Sequence, residues 1–119
     1  MSSKSPAPID GVQLRGRLET MALAVLEEGE AHGFEVLRRL EARGCGLLKL
    51  REGSLYPALY RLEERGLLKA RWEDNPGGRK GPARKTYRLT PKGRRQLQAG
   101  REEWATFVTV IGGIVGAPE

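Results

Sequence analysis

Residues 53–68 read GSLYPALYRLEERGLL, and this stretch decides the fold. Its apolar residues recur at intervals of three and four, which predicts a helix with one narrow buried stripe. The stripe consists of Leu55, Ala58, Leu59 and Leu62. Ser54 is a favoured N-cap, and Pro57 follows in the first turn, where a missing N–H does no harm. Gly66 ends the helix.

Two further helices are predicted upstream of this stretch. The first has apolar residues on one face from Leu14 to Val25 and ends near Gly29, a residue typical of helix C-termini. The second runs from about Gly33 to Arg43 and ends at residues 44–46. The short apolar segment 47–50 is long enough only for a minimal strand or a link.

Downstream, two alternating segments flank a turn rich in Gly and Pro. Residues 67–74 and 84–89 alternate between apolar and polar side chains, which is typical of half-buried strands. Between them lies NPGGRKGP, residues 75–82. The pattern predicts a β-hairpin with a long basic tip.

The last predicted helix begins with Thr90 as N-cap and Pro91 at the first helical position. Its apolar residues continue at spacings of three, four and seven, whereas Gly112 and Gly113 predict fraying after about Ile111. The fold class is therefore mainly α with a small β-hairpin: a winged helix-turn-helix plus a C-terminal helix. We divide the chain into a flexible tail (1–9), a winged helix-turn-helix domain (10–90), and a C-terminal helix with a frayed tail (91–119).

Positive charge is concentrated in one segment. The net charge is +6, yet residues 65–95 alone carry 11 Lys and Arg against two acidic residues, a local balance of +9. A basic segment on a mildly acidic body indicates a surface that faces a polyanion. The alternative is a solvated basic face that serves solubility.

The chain has a single cysteine, Cys45, and a single histidine, His32. These exclude an internal disulfide, a Cys/His metal cluster and the usual nucleophilic triads, and no phosphate-binding loop is found, so we predict neither an enzyme nor a cofactor. Cys45 is expected to be buried or half-buried. Residues 1–8 lack the apolar core of a signal peptide, and the apolar run 107–117 is too short to span a bilayer. We predict a cytoplasmic protein with no membrane partner.

An ordered set of motifs makes the sequence similar to the PadR family of bacterial transcriptional regulators. These motifs are LRG (14–16) with LE (18–19), HGFE (32–35), GSLYPAL (53–59), RLE (61–63), GLL (66–68), RKTYRLT (84–90), Gly93 and Trp104. The similarity covers about Leu14 to Ile111. The chain departs from the family pattern at Phe34, where Tyr is usual, and at Thr86, which interrupts a frequent Tyr pair.

The resemblance implies a cytoplasmic homodimer, usually a repressor, that binds an inverted repeat near its own or a neighbouring promoter. Some relatives respond to small aromatic compounds. The chain resembles the short-tailed branch, which has one C-terminal helix for dimerisation. A different function is a winged-helix module that antagonises another regulator through protein contact, although the basic hairpin argues against it.

The helix at residues 54–65 is the expected recognition element, because a helix fits the major groove. We expect its outward residues to contact DNA, while Glu63 and Glu64 must lie away from phosphates. The expected contacts are Ser54, Tyr56, Tyr60 and Arg61. Gly33 could let its backbone N–H approach a phosphate, or be an ordinary helix-start glycine. An exposed helix face with no partner remains the alternative for the whole set.

The hairpin, or wing, is expected to contact phosphates through long cationic side chains. These are Arg79, Lys80, Arg84 and Lys85. A disordered loop that serves solubility is the alternative.

Dimerisation is assigned to one face of the last helix. The assigned residues are Leu97, Trp104, Phe107, Val108 and Ile111. Trp104 could pack in the dimer core, which is the usual fate of a large aromatic residue in a helical stripe. It could instead line a slot for a planar aromatic effector.

Overall fold

The computed structural model describes residues 17–73 and 84–116. The helices are α1 (Leu18–Leu26), α2 (Gly33–Arg43), α3 (Glu52–Glu64) and α4 (Pro91–Val115). The strands are β1 (Ala31–His32), β2 (Leu68–Glu73) and β3 (Arg84–Leu89). The predicted tail 1–9, the start of the first helix at Leu14 and the wing tip 74–83 lie outside the described residues.

The core is built around the apolar stripe of α3. Leu55, Leu59 and Leu62 are completely buried there and pack with residues of α1 and α2. Their spacing of three and four residues puts all of them on one face, as the sequence predicts. The opposite face of α3 is therefore left to solvent, and the core fixes which side chains it presents.

The start of α3 differs from the prediction. Ser54 is not the N-cap: Arg51 has the extended backbone of a cap residue, and its carbonyl accepts hydrogen bonds from the N–H groups of Ser54 (3.0 Å) and Leu55 (3.1 Å). The helix thus begins at Glu52, although the Arg51 side chain makes no capping bond. Pro57 lies beyond the first turn. Helix continuation through Glu52 and Gly53 overrides the local preference of Ser54, since a cap preference is worth only about 1 kcal/mol.

The sheet has one more strand than the predicted hairpin. Its order is β1-β3-β2, and β1 pairs antiparallel to β3 through Ala31 opposite Tyr87. Two residues are too few to show a strand alternation, so the sequence gives no signal for β1. His32 then caps α2, because its Nδ1 accepts a hydrogen bond from the Glu35 N–H at 3.3 Å.

The start of α4 confirms the predicted cap. The Thr90 side chain accepts from the Gly93 N–H at 2.9 Å, and Pro91 is the first helical residue. The predicted fraying after Ile111 is wrong, because the helix continues to Val115 and ends at Gly116 with a φ of 91°. Gly112 and Gly113 lower helix propensity by about 1 kcal/mol each but retain their N–H donors, so the helix is weakened without being broken.

Leu97 does not belong to a dimer surface. It is 1% exposed and packs in the core of its own chain. Two glycines bring this half of α4 close to the rest of the domain: a Cβ on Gly93 would collide with the Leu67 carbonyl, and one on Gly100 would lie 2.7 Å from the Thr20 methyl. The dimer assignment of Leu97 is therefore wrong, since burial within the chain already accounts for it.

The segment between α2 and α3 differs from the prediction at Cys45. Cys45 is exposed and takes a left-handed φ of 55° in the turn 44–46, so it is not the buried residue that was expected. Leu48 and Leu50 carry the apolar contact of this link, and both are buried. No helix among residues 17–73 and 84–116 is long and apolar enough to cross a membrane.

Candidate nucleic-acid interface

The exposed surface of α3 presents the predicted tyrosines. Tyr60 is 57% exposed, and Tyr56 is also open to solvent. At about 100° per residue they lie within about 40° of each other around the helix axis. Ser54 is exposed as well, but it lies on the opposite flank of the helix. These residues can donate hydrogen bonds, but Glu64, one turn after Tyr60, is exposed on the same side of α3 and gives that side a negative charge.

Gly33 affects this surface because its missing side chain leaves room for Tyr56. It is buried at the start of α2, and a Cβ added to it would overlap the Tyr56 ring. The missing side chain thus creates the space in which the ring lies against α2. A role of the Gly33 N–H at a phosphate stays a prediction, whereas its role in seating Tyr56 follows from the contact.

Arg61 lies on the flank of α3 that faces α1. Its Nε is 3.6 Å from the Glu19 carboxylate, which also accepts from Arg65 at 2.9 Å. The Arg61 side chain remains half exposed. Exposed pairs of this kind contribute about 0–1 kcal/mol, so the guanidinium can leave Glu19 for a DNA acceptor at little cost.

Of the four cations predicted to contact phosphates, the structure describes two, Arg84 and Lys85, and they differ in their surroundings. Arg84 is exposed at the start of β3 and lies opposite Glu73 on β2. The Lys85 ammonium instead lies 2.6 Å from the Glu63 carboxylate of α3. This close ion pair raises the pKa of Lys85 above its ordinary value. The sequence predicts only that Glu63 lies away from phosphates, and the structure adds its contact with the wing. Arg79 and Lys80 lie outside the described residues.

The outer face of the wing carries a second pair of exposed cations, to which the sequence analysis gives no role. Lys69 and Arg88 are cross-strand partners, and both are exposed. Like charges directly opposite each other disfavour pairing. Arg71, the next residue on that face of β2, is neutralised by Glu30 at 2.6 Å. The register that joins Lys69 to Arg88 depends on the length of the loop, so composition alone could not have revealed it.

The second half of α4 projects apolar side chains into solvent. Trp104 is 51% exposed and stacks on Phe107 with ring centroids 5.5 Å apart, while the Arg17 guanidinium lies 4.7 Å from the Phe107 ring. The exposed large apolar residues of this half are Trp104, Phe107, Val108, Val110, Ile111, Ile114 and Val115. Four of the five predicted dimerisation residues are among them. A continuous apolar surface of this kind marks a contact site.

Known proteins match the chain over most of its length. The family model described as "Transcriptional regulator PadR-like family" matches residues 22–99. A transcriptional regulator from Clostridium thermocellum is 30% identical with a TM-score of 0.77, and the match covers 86% of this chain and 96% of that one.

Two further solved structures are similar. A PadR family regulator from Eggerthella lenta is 32% identical with a TM-score of 0.72, over 87% of this chain and 86% of that one. A PadR-like regulator from Bacillus cereus is 28% identical with a TM-score of 0.71, over 91% and 100%. No curated protein matches the chain.

Proposed function

Because the chain belongs to the PadR-like family of transcriptional regulators and has the DNA-binding winged-helix fold, we propose that it is a cytoplasmic repressor that binds an inverted-repeat operator as a homodimer. The observation that carries this proposal is the apolar surface on the second half of α4, which residues 17–73 and 84–116 of one chain leave exposed. A twofold dimer through this surface would present two copies of α3 to two half-sites.

On each half-site, α3 enters the major groove and the wing follows the phosphate backbone. In this proposal Tyr56, Tyr60 and Arg61 read or position the DNA, and Ser54 makes a further polar contact. Gly33 supports the seating of Tyr56. Base contacts then supply specificity, while phosphate contacts supply most of the affinity.

For the phosphate contacts of the wing we retain three of the predicted cations: Arg79, Lys80 and Arg84. Arg84 is exposed at the start of β3, directly after residues 74–83 in the sequence. Long cationic side chains at such a position neutralise phosphates and release bound counterions. Lys85 is not among the three, because its ammonium already lies against the Glu63 carboxylate.

A planar aromatic effector is proposed to bind beside Trp104. The indole is half exposed, and its stack on Phe107 leaves an aromatic surface on which a flat ligand could lie. Binding there would change how the two copies of α4 meet, and hence the spacing of the two recognition helices. The effector is expected to quench Trp104 emission and to weaken operator binding.

The dimer is tested with Trp104→Ala. Removing a central aromatic residue from an interface typically costs about 2 kcal/mol, so the dissociation constant of the dimer should rise about thirtyfold in sedimentation measurements. Arg95→Ala, on an exposed polar part of α4, serves as the control and should leave it unchanged. An equally stable dimer in both variants contradicts the proposed interface.

Operator binding is tested on the DNA upstream of the protein's own gene by fluorescence anisotropy. The repressor predicts tight binding whose affinity falls steeply as salt rises, and much weaker binding to random DNA. Repression is read from a reporter placed behind the same DNA. A winged-helix module that acts through protein contact would bind neither DNA appreciably, and that result would reject the proposal.

A further inference from the structure

Lys85 lies on the face of the wing that continues the core. The register of β2 and β3 places three pairs on this face: Leu68 with Leu89, Ala70 with Tyr87, and Trp72 with Lys85. The first two pairs contribute buried or half-buried residues to the core. The third pair extends the same face beyond the core, towards α3. Alternation along the strand puts Arg84, the preceding residue, on the other face.

The partner of Lys85 comes from α3. The Glu63 carboxylate lies 2.6 Å from the ammonium, and the two side chains are only 31% and 24% exposed. The Arg71–Glu30 pair, for comparison, has side chains that are 56% and 45% exposed. Interactions between charges strengthen as water is excluded, so the Lys85–Glu63 pair restrains its two elements more than the surface pairs do.

Two aromatic rings complete the surroundings of the ammonium. Its nitrogen lies 5.6 Å from the centroid of the Trp72 ring and 5.5 Å from that of Tyr87. Both distances fall within the range of cation–π attraction. Lys85 is thus held by a carboxylate from α3 and by one ring from each strand of the wing. These contacts connect the recognition helix to the hairpin.

We infer that Lys85 is a positioning residue that fixes the wing against the recognition helix, and that it does not neutralise a phosphate. A phosphate drawn to Lys85 would approach the Glu63 carboxylate, which repels it. If Lys85 left Glu63, a partly buried carboxylate would lose its partner, which is costly. The inference rests on the proposed operator binding, and it assigns to the wing a fixed orientation relative to α3.

The experiment compares Lys85→Met with Arg84→Met, two adjacent variants that each remove one positive charge. Arg84→Met should reduce the slope of log affinity against log salt by about 0.9 while affecting operator and random DNA alike. Lys85→Met should leave the slope unchanged and reduce the ratio of operator to random binding by roughly tenfold, because helix and wing no longer fit one half-site together. Thermal unfolding confirms that both variants are folded.

Exchanging the charges of Lys85 and Glu63 distinguishes a positioning role of Lys85 from an effect of its positive charge on DNA. Lys85→Glu and Glu63→Lys should each lower the ratio of operator to random binding, and the double variant should recover most of it, since the attraction between the elements is restored. A slope that falls as much in Lys85→Met as in Arg84→Met would overturn the inference. So would a double variant no better than Lys85→Glu alone.

A measurement without DNA keeps the inference distinct from the proposed function. In a Trp104→Phe background, the remaining indole is Trp72, which reports on the wing. Lys85→Met should shift its fluorescence emission, and Arg84→Met should not. If the protein binds no DNA but this shift occurs, the proposed function fails while the connection between wing and helix stands; if there is no shift, the connection itself is refuted.

Discussion

The two halves of α4 differ in composition and in surroundings: residues 91–103 are mostly polar with one large apolar side chain, Leu97, whereas residues 104–115 are mostly apolar. In the first half, Gly93, Leu97 and Gly100 are buried against the domain. In the second half, apolar residues from Trp104 onwards are exposed. The helix itself is continuous from Pro91 to Val115, so no break in the backbone separates the two halves. Periodicity shows that a helix face is buried, but it does not show whether the same chain or a second copy covers it.

Glycine separates the two halves. Gly100 brings α4 against Thr20 of α1, and the next residue, Arg101, makes a two-pronged contact with Glu27 at 2.8 and 3.2 Å. Beyond this point the apolar side chains of α4 are exposed, although Arg17 still lies against the Phe107 ring. The first half therefore serves the fold of one chain, and the second half is available to a partner. Substitutions in the two halves should have correspondingly different effects.

The largest difference is expected between Leu97→Ala and Ile111→Ala. Leu97→Ala removes a fully buried side chain and should lower the free energy of unfolding by about 2–5 kcal/mol. Ile111→Ala removes a side chain that is exposed in the single chain, so it should change that free energy by less than about 0.5 kcal/mol. Urea denaturation is to be measured at concentrations at which the chain is monomeric, because dimerisation adds apparent stability. Equal losses would remove the distinction between the halves.

A second comparison adds one methyl group to each half. Gly100→Ala places a Cβ 2.7 Å from the Thr20 methyl and should destabilise the chain by about 1–3 kcal/mol. Gly113→Ala meets nothing within 4 Å and should stabilise the helix by up to about 1 kcal/mol through propensity. Denaturation midpoints of the two variants should therefore move in opposite directions. A stabilised Gly100→Ala would show that α1 and α4 are not closely packed.

The helices, the hairpin and the order of elements could be predicted from the sequence because each is encoded locally. The apolar stripe of α3 and the start of α4 at Thr90 and Pro91 can each be predicted from neighbouring residues alone. The start of α3 was less predictable, since Ser54 and Arg51 compete as caps and neighbouring residues decide between them. The strand β1 exists only because β3 lies beside it, and no short-range pattern indicates it.

The candidate site was predictable in composition but not in pairing. The basic character of the wing and the exposed tyrosines of α3 follow from residue types and helix period. The contact of Lys85 with Glu63 depends on strand register and on how the hairpin packs against α3, which are both set by distant residues. The contact of Gly33 with Tyr56 is of the same kind. In both cases the sequence shows that residues able to make the contact are present, but it does not show that they meet.

The smallest effect is expected at the boundary between the halves. The hydrogen bond from Arg101 lowers the pKa of Glu27 below its ordinary value of 4.5. A carboxyl group with a lowered pKa stabilises the fold above that ordinary value, and its contribution disappears as pH falls through the lowered pKa. The melting temperature of Glu27→Gln should therefore lie slightly below that of the unaltered chain near pH 7, and the two should converge at acidic pH. Glu103→Gln, an exposed substitution about one turn of α4 after Gly100, is the control and should melt with the unaltered chain near pH 7. A difference for Glu27→Gln that persists unchanged in acid would mean that the carboxylate charge does not hold α4 to α1, and that the close approach at Gly100 alone marks the boundary between the halves.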